Sequence, residues 1–227
     1  MHSRFYLAVF SLLILFGFTP PQPKKKILFF GDSITQQGAT PTGFISLMDS
    51  LIRQKTLAAE FQLDGAGISG NKIYDLYLRM EDDVLSKSPD AVVIYIGIND
   101  VWHKRLLGTG TDPDRFEKFY TAIIKKLQQA GSTVYLCTPS VIGEKNDFTN
   151  PLDGDLNLYA GIVRNVADAN NCALIDLRLE FLNYLRLHNP DNRDRGILTS
   201  DGVHLNREGN NLVAQRMLAV LGRELIN

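Results

Sequence analysis

The chain has 227 residues, 44% of them apolar and 22% charged, which suits a globular protein with one sizeable core. Its 24 basic and 25 acidic side chains nearly cancel, and no face-sized block of Lys or Arg occurs, so a nucleic-acid-binding surface is excluded. Cysteine occurs twice, and no Cys/His cluster or HExxH has metal-ligand spacing, so nothing in the sequence asks for a metal.

Phe5 to Phe18 is an almost wholly apolar segment behind His2 and Arg4, matching the core and basic flank of an export signal. It is short for a membrane span, which needs about 20 such residues. Residues 1–23 are therefore expected to be a signal peptide or an N-terminal membrane tether, closed by the proline-rich spacer Pro20-Pro21-Gln22-Pro23. No A-x-A-like cleavage site follows, so both forms stay open. Export places the protein in a periplasmic or extracellular setting, with membrane contact only through residues 5–18. Lys24 to Lys26 then flank the first strand as a solvated edge.

Ile27 to Phe30 is an apolar run without alternation, as in a strand buried on both faces of a parallel sheet. It stops at Gly31 and delivers Ser33 into a turn. Phe44, Leu47, Met48, Leu51 and Ile52 then fall on one face of a helix. So Ser33 stands where open α/β sheets place their ligands, at a strand's carboxyl end.

Phe61 to Asp64 reads as the second strand, ending in Gly65-Ala66-Gly67-Ile68-Ser69-Gly70. The letters match a dinucleotide fingerprint, but that motif belongs after the first strand and needs an acidic residue ending the next one. Here Glu81, Asp82 and Asp83 lie inside a helical stretch. A glycine turn exposing backbone N–H groups is the better reading.

Ala91 to Ile96 is the third strand and the expected centre of the sheet. Gly97-Ile98-Asn99-Asp100 follows, and the sequence predicts a loop from there through Trp102 and His103 to an N-cap at Asp112. Pro113 opens a helix whose face is Phe116, Phe119, Tyr120, Ile123, Ile124 and Leu127, and Gly131 closes it. Thr133 to Cys137 is the fourth strand, followed by a polar loop to about Pro151. A helix runs from near Asp153 to Asn170, and Cys172 to Asp176 is a short fifth strand. Cys137 ends one strand and Cys172 begins the next, so a disulfide is not expected. Five strands alternating with helices imply a parallel, doubly wound sheet. After a charged loop, Asn189 to Arg195, Asp201 and His204 stand three residues apart before a last helix carrying Val213, Met217, Val220 and Leu221.

Acyl transfer from an ester needs a nucleophile, a base, a group that orients the base, and donors for the developing oxyanion. Ser33, His204 and Asp201 are the candidates for the first three. The Ser33 N–H, the Gly70 N–H and the Asn99 side-chain amide are candidates for the donors, with Gly67 the other glycine that could serve. Trp102 and His103 are candidates for substrate contact. Asp32 and Asp100 are expected to bond the local backbone rather than act as an acid pair.

Gly31-Asp32-Ser33-Ile34-Thr35, the glycine turn through Gly70, Gly97-Ile98-Asn99-Asp100 and Asp201-Gly202-Val203-His204 follow one another in the order of the SGNH, or GDSL-type, esterases and lipases. The chain resembles that family over roughly residues 26–221. The family letters fall on Ser33, Gly70, Asn99 and His204. The resemblance implies a three-layer α/β/α, flavodoxin-like fold over 24–227, with serine, histidine and aspartate acting together and no cofactor. Two departures occur: isoleucine replaces the leucine of the family name, and Gly65 stands where relatives usually have asparagine.

The expected substrate is a small-molecule or carbohydrate ester. The polar loops from Trp102 to Asp112 and from Gly143 to Pro151 favour a short acyl group, such as acetyl on a sugar. Two alternatives are a lysophospholipase- or thioesterase-like activity on longer chains, and a non-catalytic protein holding an anion between the Gly70 and Ser33 turns.

Overall fold

The structure is a computed structural model that describes residues 23–55 and 60–225. The export segment expected at 5–18 lies outside the described residues. Among those described, no helix is long and apolar enough to cross a membrane.

The elements are β1 (Lys25–Gly31), α1 (Ser33–Gly38), α2 (Phe44–Gln54), β2 (Phe61–Gly67), α3 (Ile73–Asp83), β3 (Ala91–Tyr95), α4 (Ile98–Leu107), α5 (Pro113–Gln129), β4 (Thr133–Cys137), α6 (Asp153–Ala169), β5 (Ala173–Ile175), α7 (Leu177–His188) and α8 (Arg207–Leu225). The strands form one parallel sheet in the order β2-β1-β3-β4-β5, the flavodoxin-like order. Every residue of β3 is buried, as expected for a central strand covered on both faces. The helices form the outer layers, with α2 packed on α8, and α5 on both α3 and α6.

Strand register is what positions the site. Gly67 pairs with Gly31, Gly31 with Tyr95, Tyr95 with Cys137 and Cys137 with Ile175. The carboxyl ends of the strands therefore make one straight rim, and the segments after β1, β2 and β3 leave it side by side. Cys137 lies on this rim, whereas Cys172 precedes Ala173, the partner of Tyr135, at the opposite end. Both cysteines are free thiols.

Four segments differ from expectation. Residues 33–38, where the sequence predicts a turn, form the short helix α1. Trp102 and His103 lie in α4, not in a loop. Gly97 is the N-cap of that helix at φ 122° and Gly108 its C-cap at φ 68°, so residues typical of a turn act as helix boundaries. Asp112 precedes Pro113 as expected, but its side chain makes no capping bond and pairs with Lys104 at 2.7 Å. Helix α7 was not anticipated, although Leu177, Phe181 and Leu185 are its buried face and the Asp176 side chain accepts from the Leu179 N–H.

Candidate active site

Gly31 permits the turn that ends β1, because a Cβ there would overlap the Tyr95 carbonyl oxygen and the Thr35 hydroxyl. The chain then enters α1 through Asp32, whose Oδ1 accepts from the Ile34 N–H at 3.0 Å. Ser33 is the first residue of that helix, so its N–H belongs to the set that a helix leaves without an internal partner. Its side chain stands on the rim.

On the other side, Asp201 and His204 form a tight turn. Asp201 Oδ1 accepts from the Val203 N–H at 2.9 Å and the His204 N–H at 2.8 Å, and Oδ2 lies 2.7 Å from His204 Nδ1. His204 Nε2 is 3.0 Å from Ser33 Oγ. Partial burial works against the Asp201 carboxylate, but the His204 ring and the two N–H groups outweigh it and hold the carboxyl below its usual range. An acceptor at Nδ1 puts the ring proton there, which leaves Nε2 to accept from the serine hydroxyl. The arrangement can move a proton from Ser33 Oγ onto an imidazole oriented by a carboxylate.

The candidate donors lie on the segments that leave the same rim after β2 and β3. Asn99 is buried in the first turn of α4 and its Nδ2 donates to the Asn71 carbonyl at 3.1 Å. An amide nitrogen carries two hydrogens, so a second remains to be aimed elsewhere. Gly70 turns the chain at φ 79°, and a Cβ on it would meet only His103 Cε1, at 3.9 Å. Gly67 is different: its Cβ would overlap the Gln36 nitrogen and stand 2.7 Å from the Asp32 carbonyl oxygen. The geometry thus separates the two glycines, one packed against α1 and the other bordering open space.

Sequence reading missed two residues that brace this rim. Arg79 Nη2 donates to the carbonyls of Gly31 at 2.8 Å and Ala66 at 2.9 Å, and its Nε donates to Asn71 Oδ1 at 2.7 Å. It joins the carboxyl ends of β1 and β2 to the residue whose carbonyl holds Asn99. Lys72, which unlike Arg79 is buried, donates from Nζ to the Gly70 carbonyl at 3.2 Å. Neither has a sequence signal beyond being a basic residue near a glycine turn.

His103 stands beside Gly70, where burial first and the Lys72 charge second push its pKa down. Trp102 is half-buried and packs against the core, with its ring 5.9 Å from that of His103. Asp32 bonds the adjacent backbone as expected. Asp100 does not: its Oδ1 accepts from the Ile73 N–H, 27 positions away, and so ties α4 to α3. Burial pushes each carboxyl up to about 7.

The model of the GDSL-like lipase/acylhydrolase family matches residues 29–212, a span holding every residue of this rim. The chain belongs to that family. Among its relatives, an acetylxylan esterase of Geobacillus stearothermophilus is 28% identical over 218 residues, covering 89% of this chain and 96% of that protein. The crystal structure of an acetyl xylan esterase is 59% identical with a TM-score of 0.84, over 86% of this chain and 98% of that one. An alpha/beta hydrolase enzyme from the metagenome of Lake Arreo, Spain, is 27% identical with a TM-score of 0.78, over 87% and 95% of the two chains. This GDSL-like chain is a carboxylic ester hydrolase.

Proposed function

We propose that the protein removes acetyl groups from acetylated xylan or xylooligosaccharides, with Ser33 as nucleophile, His204 as base and Asp201 as its orienting partner. The observation that carries this reading is the continuous line from Ser33 Oγ through His204, at 3.0 Å and 2.7 Å, to the Asp201 carboxylate. Ser33 Oγ attacks the acetyl carbonyl carbon while His204 Nε2 takes its proton. The carbonyl oxygen becomes an oxyanion facing the Ser33 N–H, the Gly70 N–H and Asn99 Nδ2. Collapse breaks the bond to the sugar oxygen, which leaves with the proton from His204. Water then attacks the acetyl-serine by the same route, giving acetate and free enzyme. His103, beside Gly70, and Trp102, whose ring neighbours that of His103, are assigned to substrate contact. The acetyl assignment is supported by relatives described as acetylxylan esterases. Export through the segment Phe5 to Phe18 would place such an enzyme with polysaccharide substrates.

The test pairs a variant with a substrate series. Ser33→Ala is expected to lose p-nitrophenyl acetate hydrolysis and fluorophosphonate labelling while keeping the fold, and near-native turnover removes Ser33 as nucleophile. The wild-type enzyme is expected to prefer acetyl over butyryl and octanoyl esters and to release acetate from acetylated xylan. A preference for octanoate replaces the acetyl reading with the long-chain one.

A further inference from the structure

Glu144 lies in the loop after β4, apart from the motifs read in the sequence, and is fully buried. Its Oε2 accepts from the Ile197 N–H at 2.7 Å. Its Oε1 accepts from the Leu198 N–H at 2.7 Å, the Thr199 N–H at 2.6 Å and the Thr199 hydroxyl at 2.7 Å. Every group facing this carboxylate donates, a demand that two acceptor-only oxygens meet and a carboxamide does not. Taking a carboxylate out of water is costly, and short bonds from several donors are what offset the cost. The residue holds an irregular segment that leads directly into Asp201.

The hold continues toward the site. The Thr199 hydroxyl, having donated to Glu144, accepts from the Gly202 N–H at 3.0 Å. From the other side the Gly143 N–H donates to the Gly202 carbonyl at 2.8 Å. Gly202 sits between Asp201 and His204, at φ 96°. The Glu144 backbone is itself fixed, its N–H donating to the Asp194 carbonyl at 3.0 Å and its carbonyl accepting from Asn189 Nδ2 at 2.8 Å. The Ser200 N–H closes the turn on the His204 carbonyl at 2.8 Å.

We propose that Glu144 is a positioning residue for the general base: it fixes the 197–202 backbone and, through Thr199 and Gly202, keeps the His204 imidazole within reach of Ser33. The inference rests on the proposed roles of Ser33 and His204. A loop-tying role alone would affect stability. A positioning role also affects the geometry of the imidazole, and a misplacement near 1 Å can cost about 100-fold in rate.

The test compares Glu144→Gln with Asp153→Asn. Asp153 accepts from buried Arg178 at 2.7 Å and from Asn150 Nδ2 at 2.9 Å, and serves as a control for loss of a buried polar contact that braces the loop after β4 without a bond to residues 197–202. Glu144→Gln is expected to lower kcat for p-nitrophenyl acetate about 100-fold with KM near the wild-type value. It should also shift or broaden the low-field proton resonance of His204 Nδ1–H. Glu144→Asp should recover part of the rate. Asp153→Asn is expected to lower Tm while keeping both kcat and the resonance. A folded Glu144→Gln with native kcat and resonance overturns the proposal, and so does a rate loss that Asp153→Asn reproduces. If Glu144→Gln does not fold, Thr199→Val is measured instead; it removes the relaying hydroxyl, and native kcat and resonance in that variant overturn the proposal equally. A wild-type enzyme that neither hydrolyses esters nor is labelled at Ser33 overturns the underlying reading, whereas an active wild type with an indifferent Glu144 overturns the positioning alone.

Discussion

Asn99 has one amide hydrogen on the Asn71 carbonyl at 3.1 Å, which leaves the second to bond elsewhere. In the proposed mechanism this hydrogen meets charge that exists only in the transition state. Asn99→Ala is therefore expected to lower kcat by about 10²–10³-fold, the usual effect of deleting an oxyanion donor. KM should change little, and steady-state kinetics with p-nitrophenyl acetate checks it. A change confined to KM makes Asn99 a binding residue. Asn99 was legible in the sequence because it follows a buried strand and a glycine, a pattern that delivers a polar side chain to the rim. Its brace was not. Arg79 is one of many basic side chains in the chain, and only folding brings its guanidinium onto the Gly31 and Ala66 carbonyls.

The contact between α1 and β2 depends on the absence of a side chain at Gly67. A Cβ there overlaps backbone atoms of α1, which cannot rotate away as a side chain would. Gly67→Ala is expected to destabilise the protein by about 3 kcal/mol. Gly70→Ala meets open space and faces only the backbone cost of its φ of 79°, about 1–2 kcal/mol. Denaturant unfolding of the two variants checks the order, and equal losses would mean that the α1–β2 contact is looser than described. The glycine run announced a turn but not which glycine serves packing and which borders the site. That distinction depends on α1, which lies about 30 residues earlier in the chain and was itself read only as a turn.

At the scale of the whole molecule, Asp32 and Asp100 contribute a dependence of stability on pH. Burial pushes both from an ordinary value of 3.8 up to about 7; the Ile34 N–H opposes this at Asp32 and the Ile73 N–H at Asp100. Between about pH 4 and 7 the folded protein thus binds protons that the unfolded chain has released. Stability falls as pH rises through that window. Tm is expected to be lower at pH 8 than at pH 5, and Asp100→Asn should flatten the difference. Calorimetry at the two pH values checks it, and an unchanged slope in the variant excludes Asp100 as a source. Asp201, held low, acts in the opposite sense and loses its contribution only in more acidic solution.

The alternation of apolar runs with amphipathic stretches determined the parallel sheet and its order of layers, because burial on both faces writes itself into local periodicity. Turn chemistry at strand ends likewise marked Ser33, Gly70 and Asn99 as candidates, and a three-residue spacing before the last helix marked Asp201 and His204. Folding alone decided the rest. Ser33 and His204 are 171 positions apart, and Glu144 and Thr199 are 55 apart. Such pairs share no period or spacing. A buried polar group takes its partners from whatever the packed elements bring within about 3 Å, so Arg79, Lys72 and Glu144 gain meaning only once the rim is assembled.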